Sequence, residues 1–469
     1  MKKRHIVLII VILAVILCPF CSRIVATINA EKATNNANAV LPQNEGLPVV
    51  KPTETEISIG LGYVTIVKKN GELWVWGIEA DPSINGEKSQ NTQSAWRLAE
   101  HVAAAVPVSR RITDAQRGFY LGVLYEDSSL WIWDISRTKD DSGEICLSFK
   151  NGTPEKIMEG VSTIIAQGHT ILALKTNASL WSIRKKTEFD KPSLQNNSFI
   201  YTEVMKNIHA FWVNPVDNPQ TYLLRENGEL FGCGENGQGQ LGVGFSTGNA
   251  KRAYQKLTKI SDSVVSVITQ NSWSEIFMHT MAIKDDHSLW LWGQDIWFDS
   301  TSATNKDARE GFFISNVPVR IMENVAYSSI SANHSLVIQL DGSLWVWGCN
   351  NEGQLGTGNY ENIKEPVNIM NNIISVSAGN HNSFALQADG GLWAWGGNSF
   401  GQLGIGDTEN RIEPTRIMEK VSSISSIGTC SVAVKQDGSI WIWGSTSLYP
   451  SFYDTDKVGS ILKPICIME

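Results

Sequence analysis

Positive charge is what this sequence lacks most visibly. Its 469 residues carry 39 Lys and Arg against 47 Asp and Glu, a net charge of −8. Nucleic-acid binding leaves a basic footprint, and none is present. No run of five or six like charges reads as a polyelectrolyte tail. Cysteine is sparse too. Cys18 and Cys21 lie in an apolar N-terminal segment, and Cys146, Cys233, Cys349, Cys430 and Cys466 are far apart, with no CxxC pair. That removes support for zinc or thioredoxin-like chemistry, and the five distal cysteines read mostly as small buried apolar residues. A nucleophile elbow, an HExxH pair, a dinucleotide fingerprint and carboxylates paired at fixed spacing are all missing. Asp140-Asp141 and Asp285-Asp286 read as solvated turn residues. The expectation is a protein with no catalytic residues, no metal and no cofactor.

At the N-terminus, Lys2, Lys3, Arg4 and His5 precede an apolar run from Ile6 to Cys21. A basic n-region before an h-region marks residues 1–30 as a signal peptide or a membrane anchor, with membrane contact through residues 6–21. Cleavage after Ala30 or Ala39 and retention as an anchor both stay open. Both place the remainder of the chain outside the cytoplasmic membrane, secreted or anchored. Residues 31–55, rich in Asn, Ala, Thr and Pro, read as a flexible linker.

The rest, 56–469, is repetitive. A short block recurs eight times, beginning at Leu73, Leu130, Leu180, Leu230, Leu289, Leu344, Leu392 and Ile440. Its clearest form is Leu-Trp-x-Trp-Gly, and the blocks hold thirteen of the seventeen tryptophans. Internal repetition at about fifty residues signals a repeat architecture. Three residues before each block stands Asn or Asp, at 70, 127, 177, 227, 286, 341, 389 and 437, followed by Gly in five cases. Asp-Gly and Asn-Gly predict a type I′ hairpin turn with two residues at φ > 0. Another strand precedes each turn, such as Ser335–Leu340 or Ser383–Gln387. Farther upstream lies a third, such as Ile374–Gly379. Downstream comes a fourth that Pro leads: Pro154–Met158, Pro318–Met322, Pro366–Met370, Pro414–Met418 and Pro464–Met468. Proline at a strand start belongs on an edge strand.

In Leu-Trp-x-Trp the two Trp side chains share one face and Leu and x the other. Both faces are apolar, so the strand is covered on both sides. Small four-stranded sheets covered on both faces and repeated at fixed period are propeller blades. The expected fold is all-β, a β-propeller of four-stranded blades with eight repeats counted. Trp345 and Trp393 are expected to be core residues.

Three blocks lead into a glycine-rich loop: Asn236-Gly237-Gln238-Gly239-Gln240-Leu241-Gly242-Val243-Gly244, Asn350-Asn351-Glu352-Gly353-Gln354-Leu355-Gly356-Thr357-Gly358 and Asn398-Ser399-Phe400-Gly401-Gln402-Leu403-Gly404-Ile405-Gly406. With Ala378-Gly379-Asn380-His381 and Asp389-Gly390-Gly391-Leu392-Trp393, this pattern closely resembles the regulator-of-chromosome-condensation repeat family. The first three repeats and the eighth lack the Gly-Gln-Leu-Gly loop. The resemblance implies a propeller, most often seven-bladed in that family, so a seven-bladed ring is the alternative to eight. The loop is no phosphate loop: it lacks a Gly-Lys-Ser/Thr ending and opens no helix. Its glycines fit tight turns at φ > 0.

His169, His334 and His381, with His279 at a similar place, stand near the start of hairpin strands. They read as equivalent positions. The resemblance implies a repeated structural hydrogen bond there rather than a shared metal ion. Outside the repeat pattern, the segment Gln294–Asn316 carries Trp297, Phe298, Phe312 and Phe313, a candidate binding loop, since aromatics are enriched at interface hot spots. The expected function is an extracytoplasmic scaffold for a protein or cell-wall glycan partner, with no nucleic acid. The alternatives are a secreted protein inhibitor of an enzyme, a guanine-nucleotide exchange factor-like regulator, which the signal segment and acidic balance oppose, and an extracytoplasmic enzyme with its site at the propeller axis.

Overall fold

A computed structural model describes residues 56–59, 64–67, 72–76, 96–99, 102–108, 119–139, 145–149, 154–167, 170–186, 199–213, 220–247, 254–269, 279–295, 313–331, 333–427, 429–445 and 460–468. The described residues are all-β, with no helix. None therefore holds a helix long and apolar enough to cross a membrane, and residues 6–21 lie outside them.

Eight antiparallel sheets succeed one another along the chain, each built in the order first–second–third–fourth strand. Sheet 1 spans Glu56–Ala99, sheet 2 Val102–Met158, sheet 3 Val161–Met205, sheet 4 Ile208–Ser261, sheet 5 Val264–Met322, sheet 6 Val325–Met370, sheet 7 Ile373–Met418 and sheet 8 Val421–Met468. Two residues separate the end of each sheet from the start of the next. In six of these connections the second takes positive φ: Gly160, Asn207, Ser263, Asn324, Asn372 and Lys420. The described residues form two compact units. One runs to His209 and the other from Ala210, so sheets 1–3 lie in the first and sheets 5–8 in the second.

The core lies between successive sheets. Leu344 and Val346 of sheet 6 pack with Ile373, Val376 and Trp395 of sheet 7, and Leu392 and Ala394 of sheet 7 pack with Val421, Ile424 and Trp443 of sheet 8. In the first unit, Leu130 and Ile132 of sheet 2 meet Val161, Ile164 and Ile183 of sheet 3. Leu and x thus face forward along the chain, and the second Trp faces back. That is the doubly covered strand expected from the alternation.

The two tryptophans differ in depth. Trp292, Trp347, Trp395 and Trp443 are 0–1% exposed. Trp345 and Trp393, expected in the core, are only half-buried. They sit beside the hairpin turn. There Trp131, Trp181, Trp290, Trp345 and Trp441 each donate the indole N–H to the Ser just before the block, at 2.7–2.9 Å. That Ser donates in turn to the Asp or Asn three residues before the block, at 2.5–2.7 Å in four hairpins and shorter still from Ser288 to Asp286. The Ser O–H and N–H hold the carboxyls of Asp127, Asp286, Asp341 and Asp437 below the usual carboxylate range.

This relay also corrects the turn type. In all seven described hairpins one residue only has positive φ, the one after the Asp or Asn: Ser128, Ala178, Gly228, His287, Gly342, Gly390 and Gly438. Its N–H bonds three residues back, as from Gly342 to Gln339, while Gln339 N–H bonds to Ser343. This is a type I turn closed by a left-handed residue, not type I′. The Asp or Asn is present as an Asx-turn acceptor, not as a residue that tolerates φ > 0.

The prolines are also placed differently. Pro318, Pro366, Pro414 and Pro464 lie inside their fourth strands, at a break in register. Val346 pairs with Val367 and Gly348 with Ile363, so Pro366 occupies the extra stretch between. The same break surrounds the other three. A bulge on an edge strand asks no ladder N–H of its proline. In sheet 2 the fourth strand is split. The third strand runs on to Lys139 and pairs first with Ile145–Phe149, ahead of the pairing with Glu155–Met158. Of the described cysteine side chains, Cys349 is buried, whereas Cys233 and Cys466 are only half-buried; all three are free thiols.

Truncating the second tryptophan of a block is expected to cost about 3–5 kcal/mol, as for core aromatics. Trp395→Ala should therefore lower the urea midpoint far more than Trp393→Ala. Equal losses would show that both rings are equally buried.

Candidate functional site

At the end of each sheet opposite the hairpin turns, the three glycine-rich loops sit in sheets 4, 6 and 7. Each is wound around one buried Asn. Asn350 Oδ1 accepts the Leu355 N–H at 2.9 Å and its Nδ2 donates to Asn359 O at 2.8 Å. Asn236 and Asn398 repeat both bonds. The Gln side chain folds back onto the backbone, Gln354 Oε1 accepting the Glu352 N–H at 2.9 Å. A second Asn twelve residues on closes the loop: Asn362 Oδ1 accepts the Asn350 N–H at 2.7 Å, and Asn410 does the same for Asn398 at 2.9 Å. That spacing is present in the sequence and is a signal the motif reading missed.

The loop is then fastened to the next sheet. Gln354 O, on sheet 6, accepts the indole N–H of Trp395 at 2.9 Å and the Ser383 hydroxyl at 2.7 Å, both on sheet 7. Gln402 O, on sheet 7, accepts from Trp443 at 2.8 Å and Ser431 at 3.0 Å, on sheet 8. Gln240 O, on sheet 4, accepts from Trp292 at 2.8 Å and Thr280 at 3.2 Å, on sheet 5, and from its own sheet's Tyr222. The glycine after Leu is required by contact as well as by φ. A Cβ on Gly356, at φ +70, would stand 2.8 Å from Trp395 Nε1, and Gly242 and Gly404 meet Trp292 and Trp443 in the same way. The last loop glycine donates its N–H into the proline bulge of the next sheet: Gly244 to Asn316, Gly358 to Ile412 and Gly406 to Leu462, at 2.7–2.9 Å. Leu241, Leu355 and Leu403 are fully buried.

The histidines are not all equivalent. His279 and His334 open the second strands of sheets 5 and 6 and pair with Gly293 and Gly348. The matching residue of sheet 7 is Asn382, which pairs with Gly396, so His381 stands one position earlier, and it is exposed. His169 lies outside the described residues. His334 makes the expected structural bond. Its Nε2 lies 2.8 Å from Ser383 Oγ on the next sheet and its Nδ1 3.0 Å from Ser331 Oγ. Ser383 gives its one proton to Gln354 O, so His334 donates from Nε2, and Nδ1 accepts from Ser331. Asn382 reaches Ser426 on sheet 8 at 3.1 Å in the same manner. In sheet 2 the corresponding residue is Tyr120, paired with Asp134 and hydrogen-bonded to the backbone of Lys185 on sheet 3. Among the described residues no three His, Cys, Asp or Glu side chains are grouped to hold a metal ion.

The loops differ in what they expose. Tyr360, two residues past Gly358, is 53% exposed, and Phe245, directly after Gly244, is 40% exposed. Phe400 within the third loop is half-buried. Sequence reasoning missed these aromatics; their position just after or within the loop was the available signal. Trp297, Phe298 and Phe312 of the expected binding loop lie outside the described residues. Phe313 opens the fourth strand of sheet 5, and its side chain lies outside them too.

Residues 341–386 and 389–434 match the family described as "Regulator of chromosome condensation (RCC1) repeat", and residues 373–402 match a second description of that repeat. The chain carries RCC1 repeats. The matched RCC1 unit runs from one hairpin turn to the next, so it joins the third and fourth strands of one sheet to the first and second of its successor and contains a loop together with the Ser that fastens it. The matched sheets are β-propeller blades. The chain is 28% identical over 138 residues to the human protein "Regulator of chromosome condensation", covering 29% of this chain and 30% of the relative. It is 29% identical over 148 residues to "RCC1 domain-containing protein RUG3, mitochondrial" of Arabidopsis thaliana, covering 31% and 32%. The chain thus spans no more than about a third of these relatives' length. Among solved structures, Prp20p of Saccharomyces cerevisiae, a protein described with its binding to Gsp1p and histones, superposes with a TM-score of 0.47 at 17% identity, covering 87% of this chain and 96% of that one.

Burial holds the His334 imidazole down to about 3, with His381 adding to the effect. The folded state therefore keeps it neutral, while the unfolded chain takes up a proton below about 6.5. This contribution is complete above about pH 6.5 and is lost progressively as pH falls toward about 3. His334→Gln is expected to flatten that part of the stability-against-pH curve relative to the natural chain, as measured by urea unfolding at stepped pH; parallel curves would refute the assignment.

Proposed function

We propose that the chain is a non-catalytic binding scaffold, with its eight sheets serving as the blades of one propeller, and that the loop end of its second unit takes a protein partner outside the cytoplasmic membrane. The observation that carries this reading is the division of labour within the glycine-rich loops. Asn, Gln, Leu and Gly are turned inward and fixed by buried hydrogen bonds, so the residues just beyond them are presented on a rigid base. Preorganised loops lose little entropy on binding. Aromatic residues on such a base, Phe245 and Tyr360, are the kind that anchor protein interfaces. The extracytoplasmic setting is supported by the basic residues 2–5 before the apolar run 6–21. The count of eight is supported by eight successive sheets, seven of four strands and one whose fourth strand is split in two.

The reading is tested in the source cells with the full-length chain. Fractionation should find it in the membrane or extracellular fraction, exposed to added protease in intact spheroplasts. Crosslinked capture should retain a defined protein, and the paired substitution Phe245→Ser with Tyr360→Ser should reduce that capture at least tenfold with no change in melting temperature. Recovery in the cytoplasm, capture that is indifferent to the paired substitution, or retention by cell-wall glycan alone would contradict it.

A further inference from the structure

The sheet-to-sheet junctions of the two units are made by different chemistry. In the second unit, sheets 6 to 7 and 7 to 8 are joined chiefly by buried neutral groups, a Gln carbonyl accepting Trp and Ser protons and a Gly N–H entering the next bulge, with one added bond from Asn410 to the Glu352 carboxylate between sheets 6 and 7. The buried neutral bonds are shielded from water and salt. The junction between sheets 2 and 3 in the first unit cannot be built this way. The position of the second Trp in sheet 3 is Ile183, which has no side-chain N–H to give, and no Gly-Gln-Leu-Gly loop occurs in repeats 1–3. Here Tyr120 still bonds to the Lys185 backbone, but in place of the Gln carbonyl contacts an ion pair spans the two sheets. Lys185 Nζ lies 2.6 and 2.5 Å from the two oxygens of Asp134. Their side chains are 34% and 31% exposed, so solvent screens the pair.

We infer that the two units open separately, with sheets 2 and 3 as the labile part of the protein and sheets 6–8 as its stable part. The chain then has a built-in low-energy opening confined to the unit nearer the N-terminal segment. Sub-global openings of this kind occur where contacts between elements are few or solvent-exposed. The ion pair makes that opening sensitive to a change that leaves the glycine-rich junctions untouched.

Hydrogen exchange of the full-length chain across a urea series, read peptide by peptide, tests this. Peptides of sheets 2 and 3 are expected to lose protection at a lower urea concentration than peptides of sheets 6–8. Lys185→Met should lower the midpoint of the first set only. Gly356→Ala, which sets a methyl against Trp395, should lower that of the second set only. A single midpoint shared by both sets in the natural chain overturns the inference, as does the reverse order of opening. So does a substitution that moves both sets together.

Discussion

A single backbone carbonyl organises the better-built part of this protein. In three loops the Gln carbonyl points out of its own sheet and accepts protons from the indole and the hydroxyl of the next. Each bond has a modest net value of about 0.5–1.5 kcal/mol, but leaving a buried indole N–H unpaired costs more. The bond thus acts chiefly as a constraint. The second Trp must stand at one depth, and the loop must approach it closely enough that only glycine fits against the ring. The loop must also keep its own polar groups satisfied, which Asn350 and its equivalents accomplish from within. Sequence features that look independent, the Trp of one repeat and the Gly-Gln-Leu-Gly of the repeat before it, are two sides of one contact.

At the opposite end of sheets 2, 3, 5, 6 and 8 a different local rule holds. There the first Trp, the Ser before the block and the Asp or Asn of the turn form a relay that is half exposed to water. It closes the hairpin and fixes its register without reaching the neighbouring sheet. The ends therefore divide the work. Hairpin turns make each sheet, and glycine-rich loops join sheets together. A binding function fits the second end, because loops already fixed to their neighbour can carry variable residues outward without loss of the fold.

Much of this is legible in the sequence because period-two alternation reports which face a residue occupies. It assigns Leu344 and Val346 to one face and Trp345 and Trp347 to the other, as the structure has them. Alternation does not report depth along the strand. Trp345 and Trp347 share a face, yet one sits beside a turn and the other between two sheets. Bulges are equally invisible. Pro366 marks an edge strand by its missing N–H, but whether it begins the strand or sits in a register break depends on pairing with Gly348, which sequence does not encode locally. The Asp-Gly pair misleads because its two residues serve separate purposes, one as acceptor and one as the left-handed residue. The histidines fall out of alignment by one position, His381 against Asn382, although three residues precede the second strand in both sheets 6 and 7, so a His near a strand start does not identify the residue that opens the strand. The long insertion 294–316 draws attention by its aromatics. The described loops instead present Phe245 and Tyr360, whose exposure depends on how the preceding glycines are seated.

The most direct measurement is hydrogen exchange of the tryptophan indole protons. The account predicts that the indole protons of Trp292, Trp395 and Trp443, each held by a loop carbonyl of the preceding sheet, exchange only through unfolding, as slowly as the core amides around them. The Ser-bonded indoles of Trp345 and Trp441 should exchange far faster. Rapid exchange at Trp395 and Trp443 in the folded protein would contradict the account, because the carbonyl contact on which these junctions depend would then be open to water.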